Sequence, residues 1–160
     1  MTIKEDYKEV EARLIEIARE AADESEAKLA SLPQDAEIER KAHKIRHNMA
    51  GICRAFAGMG YARSDPMPFR RRVVYGTTGL PIPFAEGVPP DLTDCEITFL
   101  HALISIEGRF IEKYEKEIEL ARKFSDDENI FKLETQLGVL REITSKWREY
   151  GRSEGFRCEY

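Results

Sequence analysis

Two histidines one helical turn apart, His43 and His47, stand in the stretch "AHKIRHNMAGICRAFAGMG", residues 42–60. A neutral imidazole can attack a phosphoryl group, carry a proton or ligate a transition metal. The same stretch holds Lys44, Arg46 and Arg54, and six Ala or Gly residues follow His47. Cations beside an imidazole stabilise added anionic charge, and small side chains let another body come close. Glu39, His43 and His47 are spaced i, i+4, i+8, so that two of them could share a metal. The Glu-x-x-His pattern of di-iron bundles is absent from the sequence. No metal site and no cofactor is expected.

These residues need a scaffold, and the apolar periodicity supplies one. Ile3, Tyr7, Val10, Leu14, Ile17 and Ala21 recur at alternating four and three, continued by Ser25, Leu29 and Leu32. Ile38, Ala42, Ile45, Met49, Ile52, Phe56 and Met59 make a second stripe. Phe99, Leu103, Ile106, Phe110, Tyr114, Ile118 and Ala121 make a third, and Leu133, Leu137, Leu140, Thr144 and Trp147 a fourth. Each is the buried face of a helix packed near-parallel to its neighbours. Thr2-x-x-Glu5, Ser31-x-x-Gln34, Thr93-x-x-Glu96 and Ser125-x-x-Glu128 read as capping boxes, with the hydroxyl accepting from an early backbone N–H. Gly151 reads as the end of the fourth helix. The spacing predicts helices over 3–30, 32–60, 94–124 and 126–150, in one domain over 1–160. The fold class is all-α: an antiparallel four-helix bundle whose second and third helices are joined by a long Pro-rich crossover. That crossover, 61–91, holds six of the seven prolines and is expected as an ordered strap across one end of the bundle.

On a helical wheel the apolar stripe of the second helix leaves His43 roughly 140° and His47 about 180° from its centre. Arg40, Arg54, Gly51 and Gly58 share that far side. Glycine in a helix interior costs about 1 kcal/mol against alanine, so two of them on an outer face suggest close approach by another body: a second helix, a partner domain, a second copy of the chain, or the strap itself covering this side. His101 is expected on the outer face of the third helix. Glu96 and Glu107 fall near the apolar stripe of that helix. Glu96 is explained by its capping box, and Glu107 by an ion pair with an arginine of the second helix, such as Arg46 or Arg54.

"AHKIRHNMAGIC" resembles the histidine-containing phosphotransfer domains, in which the second bundle helix presents a phospho-accepting histidine within A-H-x-L-K-G followed by small residues. Ala42 and His43 match, Ile45 takes the apolar place, Arg46 the basic one, and Ala50, Gly51 and Ile52 the small-small-apolar end. The sequence departs at His47 and Cys53, where the family has glycine. The resemblance implies a four-helix bundle in which His43 carries a phosphoryl group between receiver aspartates, with Arg46 as its charge partner.

Charge narrows the classes further. The formal net charge is −5, yet residues 33–72 hold nine Lys/Arg against four Asp/Glu. Either neighbouring helices complement this segment or an anionic partner does. "FRRRVVY" adds Arg70, Arg71 and Arg72 to aromatic neighbours, the composition of a basic nucleic-acid patch, against which stands the acidic whole. Three scattered cysteines, Cys53, Cys95 and Cys158, fit no disulfide framework or zinc spacing. With no leader-like or 18-residue apolar run, a cytoplasmic protein without membrane contact is expected. The reading is a signalling or adaptor protein, with the question of enzyme activity left open. It docks a protein partner, a receiver domain or a second copy of the chain, through His43, His47, Gly51, Arg54 and Gly58. The alternatives are a nucleic-acid binder and an enzyme or small-molecule binder with a pocket between bundle and strap.

Overall fold

A computed structural model describes residues 3–58 and 93–158. Among these residues 87% are helical and none lies in a strand, so the described part of the chain is all-α as expected. The helices are α1 (Ile3–Ser31), α2 (Glu37–Ala57), α3 (Asp94–Ile106), a π-helical segment (Glu107–Ile111), α4 (Glu112–Lys123) and α5 (Asp127–Ser153). The crossover 61–91, with Met59 and the Thr2 box, lies outside the described residues.

The four stripes meet in one hydrophobic cluster that draws on every helix. Tyr7, Val10, Leu14, Ile17 and Ala21 of α1 are buried, as are Leu133, Leu137, Leu140, Thr144 and Trp147 of α5. Trp147 is fully enclosed, and its indole N–H donates to the Leu14 carbonyl at 3.1 Å, giving the polar end of a large apolar group its partner. Glu11, Ala18 and Ser25, seven apart, form a second buried row on α1. α1 is therefore covered over a wider arc than its strongest stripe predicts.

The arginines show how neighbouring helices run. Arg40 of α2 donates to the carbonyls of Leu29 and Leu32, while Gly58 lies against Ile15; α1 and α2 therefore point in opposite directions. Along the second hairpin, Glu96 meets the Arg157 backbone N–H, Glu107 meets Arg148, Glu115 meets Arg141 and Arg122 meets Glu134. Lys41–Glu128 at 3.4 Å and Arg46–Glu142 at 2.7 Å tie α2 to α5.

Three boundaries differ from expectation. α2 begins at Glu37 rather than 32. Ser31 belongs to α1 and turns its hydroxyl back to the Lys28 carbonyl. It therefore cannot cap α2, and Arg40 reaches over to satisfy the end of α1 instead. At the second hairpin Ser125 takes φ 51°, and the cap passes to Asp126, which accepts from the Asn129 N–H at 3.3 Å. Thr93 caps α3 as expected, accepting from the Glu96 N–H at 3.1 Å. α5 runs past Gly151 to Ser153. Its terminator is Gly155, at φ 78°, with Phe156 N–H bonded to the Gly151 carbonyl at 2.8 Å and Gly155 N–H to that of Arg152. This is the six-to-one and five-to-two pairing of a Schellman end. Gly151 instead makes room for a neighbour, since a Cβ there would stand 2.4 Å from Cζ of Phe99.

The third stripe is continuous in sequence, but its helix is not. The π-helical segment holds one extra residue per turn. Before it Phe99, Leu103 and Ile106 face the core; after it Ile111, Ile118 and Ala121 do. The extra residue absorbs the change of register, with Phe110 left half-buried against Phe56 in an edge-on contact at 5.4 Å.

Candidate functional site

The buried side of α2 is Met49, Ala50, Cys53 and Ala57. Ile38 is 72% exposed, and Ile45, Ile52 and Phe56 are only partly covered. Measured on the wheel, the buried centre is rotated about 75° towards the histidines from where the large apolar residues put it. The physical reason is α1. It packs closely on the small side chains, so alanines and a cysteine take the interior and the isoleucines are pushed to the margin.

This rotation changes the surroundings of each expected site residue. His43 is half-buried, and its Nδ1 is enclosed without a hydrogen-bond partner among the described residues. His47 is half-buried too. It lines a cavity of about 330 Å³ between α1 and α2, with Glu26, Leu29, Lys44 and Asn48. Arg46 is not free: its guanidinium is paired with Glu142 at 2.7 Å, both side chains being only 25% and 33% exposed. As a charge partner for His43 it is already committed to α5. Gly58 packs on α1, with Ile15 Cδ1 3.8 Å from where a Cβ would stand. Arg54 is exposed, and at Gly51 a Cβ would meet nothing within 4 Å. The open part of the expected face is therefore His43, Lys44, His47, Gly51 and Arg54, while Ala50, Ala57 and Gly58 serve the α1 interface.

Other expected groups resolve into structure. Glu96 accepts from the Arg157 backbone N–H at 3.1 Å. Both oxygens of Glu107 accept from Nη2 of Arg148 on α5, at 2.6 and 2.9 Å, so its ion pair is not with an arginine of α2. Arg148 also donates to the Cys158 carbonyl, so one guanidinium fastens the C-terminal segment to α5 and the π-helical turn. His101 is 2% exposed, contrary to the outer-face expectation. Every residue from Ile97 to Ile106 is buried, so α3 has no outer face along that run. The unbroken uncharged stretch "ITFLHALISI" was the available signal, since a helix apolar all round is a buried one. Burial pushes the Cys53 thiol up to about 12, which removes it as a nucleophile. Cys53, Cys95 and Cys158 are all free thiols.

Sequence reasoning passed over Glu11, which is 4% exposed on α1; its seven-residue register with Ala18 and Ser25 was the signal. It also passed over a groove of about 880 Å³ between α4 and α5. Ile118 and Leu137 help to line it, with the Glu115–Arg141 and Arg122–Glu134 pairs across it. Among the described residues no three His, Cys, Asp or Glu side chains converge on a common point as a metal cage. No described helix is long and apolar enough to cross a membrane. Arg70, Arg71 and Arg72 of "FRRRVVY" lie outside the described residues, as does the strap with the pocket expected beside it. No protein-family model matches the chain, and neither the curated proteins nor the solved structures include a match to it.

Proposed function

We propose that the chain is a cytoplasmic docking protein of the signalling or adaptor kind. Its two helical hairpins form an antiparallel four-helix bundle joined by the Pro-rich crossover, and it presents the open face of α2 to a protein partner. The observation that carries this reading is Gly51. It sits inside a helix, where glycine costs about 1 kcal/mol against alanine, and, as at Gly108 and Gly138, no neighbour among the described residues requires the missing Cβ; of the three, Gly51 is the one on the histidine-bearing helix. A partner that approaches closely between His47 and Arg54 would require it.

The sharper form is phosphoryl acceptance at His43. With Nδ1 enclosed, Nε2 is the nitrogen available for attack, and a receiver domain carrying a phosphoaspartate is the partner this chemistry fits. The test is intact mass after incubation with phosphoramidate, for wild type and His43→Gln. An acid-labile gain of one phosphoryl group, lost in the variant, supports the phosphorelay form. No gain in the wild type removes it, and Gly51 alone then carries the docking reading.

The nucleic-acid alternative loses ground on one point. Of the described cations of α2, Arg40 closes the end of α1 and Lys41 and Arg46 are paired with α5. Three of the five cations of α2 are thus engaged within the chain.

A further inference from the structure

We propose that His43 and His47 form an open two-imidazole site for a divalent transition-metal ion. The two side chains are one turn apart on a continuous helix, where i, i+4 residues have Cβ atoms about 5–6 Å apart. That separation lets two imidazoles converge on one ion at metal–nitrogen distances of about 2.0–2.1 Å. Both residues are partly exposed. Neither is engaged in a hydrogen bond or ion pair with another described residue, so no such interaction must break for a metal to bind. The inward Nδ1 of His43 has no partner among the described residues, which leaves Nε2 as its ligating atom.

The local charge permits a cation. Arg46 is neutralised by Glu142, and Lys44 shares its cavity with Glu26. Imidazole donors without a carboxylate cage select copper, nickel or zinc over magnesium or calcium. With two protein ligands the remaining positions go to water, or to a side chain of a docked partner. The site is thus an exchangeable one, not a structural one. It does not rest on phosphoryl acceptance: that chemistry needs His43 alone, whereas metal binding needs both histidines at this spacing.

The experiment is titration of the full chain with Zn²⁺ by calorimetry and with Cu²⁺ by electron paramagnetic resonance. One ion per chain is expected, with two nitrogen donors in the copper spectrum. His43→Ala and His47→Ala should each weaken binding at least about tenfold, in line with the loss of a ligand. The double variant His47→Ala/Asn48→His keeps two histidines but moves them off one face, and it should bind no better than His47→Ala. Circular dichroism on each variant checks that the helices are intact. Failure of the wild type to bind either ion below about 1 mM, or equal binding by the double variant His43→Ala/His47→Ala, overturns the proposal.

Discussion

Two glycines inside helices make opposite demands on their surroundings. At Gly151 the Phe99 ring occupies the space a methyl group would need, with three ring carbons inside 3.0 Å of the Cβ position. Phe99 is itself fully buried and packed against Phe156 at 5.6 Å, so it has nowhere to retreat. Gly151→Ala should therefore destabilise the fold by about 1–3 kcal/mol, as overpacking of a filled core does, read as a fall in the denaturant midpoint. At Gly51 the space is open, and Gly51→Ala should stabilise the isolated chain by up to about 1 kcal/mol through helix propensity alone. If the same substitution destabilises it, the residue is serving the fold and the docking reading loses its support. The sequence distinguishes neither case, because a glycine in a helical pattern does not say whether its reason lies inside the chain or outside it. His43 has the same ambiguity. Its place on the wheel follows from the sequence, but the rotation of α2 that encloses Nδ1 depends on how closely α1 packs against alanines.

The π-helical turn between α3 and α4 is a property of the element and not of any one of its residues. Such a turn inserts one residue into an otherwise regular helix, and the inward positions on its two sides differ by that residue. Deleting Gly108, which is exposed and whose Cβ position touches nothing, should restore a continuous α-helix and leave a folded protein with near-native helicity. Deleting Glu115 from α4 would instead rotate Ile118 and Ala121 out of the core and should unfold the hairpin. Thermal melts of the two deletion variants decide this, and equal damage from both would mean that the turn is required by its contacts. Helix existence was legible from periodicity, and so was the facing of α1 and α5; along α3 and α4 Phe99, Leu103, Ile106, Ile118 and Ala121 are buried as their spacing predicts, whereas Phe110 and Tyr114 are only partly so. Boundaries were less so, because capping boxes compete with local alternatives. Ser31 bonds backward within α1, and Asp126 displaces Ser125 as the cap once Ser125 adopts a positive φ. Nothing in the third stripe marked the insertion, since Phe110 and Ile111 are both apolar and either fits the pattern.

Across the molecule the stabilising polar contacts join elements far apart in sequence. In Glu107–Arg148 one guanidinium nitrogen donates to both carboxylate oxygens, and both side chains are mostly enclosed. Removing one partner leaves the other charge partly buried, so Arg148→Met should cost about 2 kcal/mol. Pairing it with Glu107→Gln should recover part of that loss in a double-mutant cycle. The buried titratable groups add a pH dependence of definite sign. Burial raises the Cys53 thiol from 9.0 to about 12. Burial, then Glu154, raises the Tyr150 phenol from 10.0 to about 12. Both groups hold their protons more tightly folded than unfolded, so the unfolded chain loses them first as pH rises. The stability they contribute is complete below about pH 9 and is lost progressively between about pH 9 and 12, with Tyr150 entering only above about pH 10. Urea midpoints measured from neutral pH to about pH 11.5 should fall through that window. Tyr150→Phe should flatten the upper part of the fall, and Cys53→Ala should flatten it from its onset. An unchanged alkaline slope in both variants would mean that neither buried proton controls the loss.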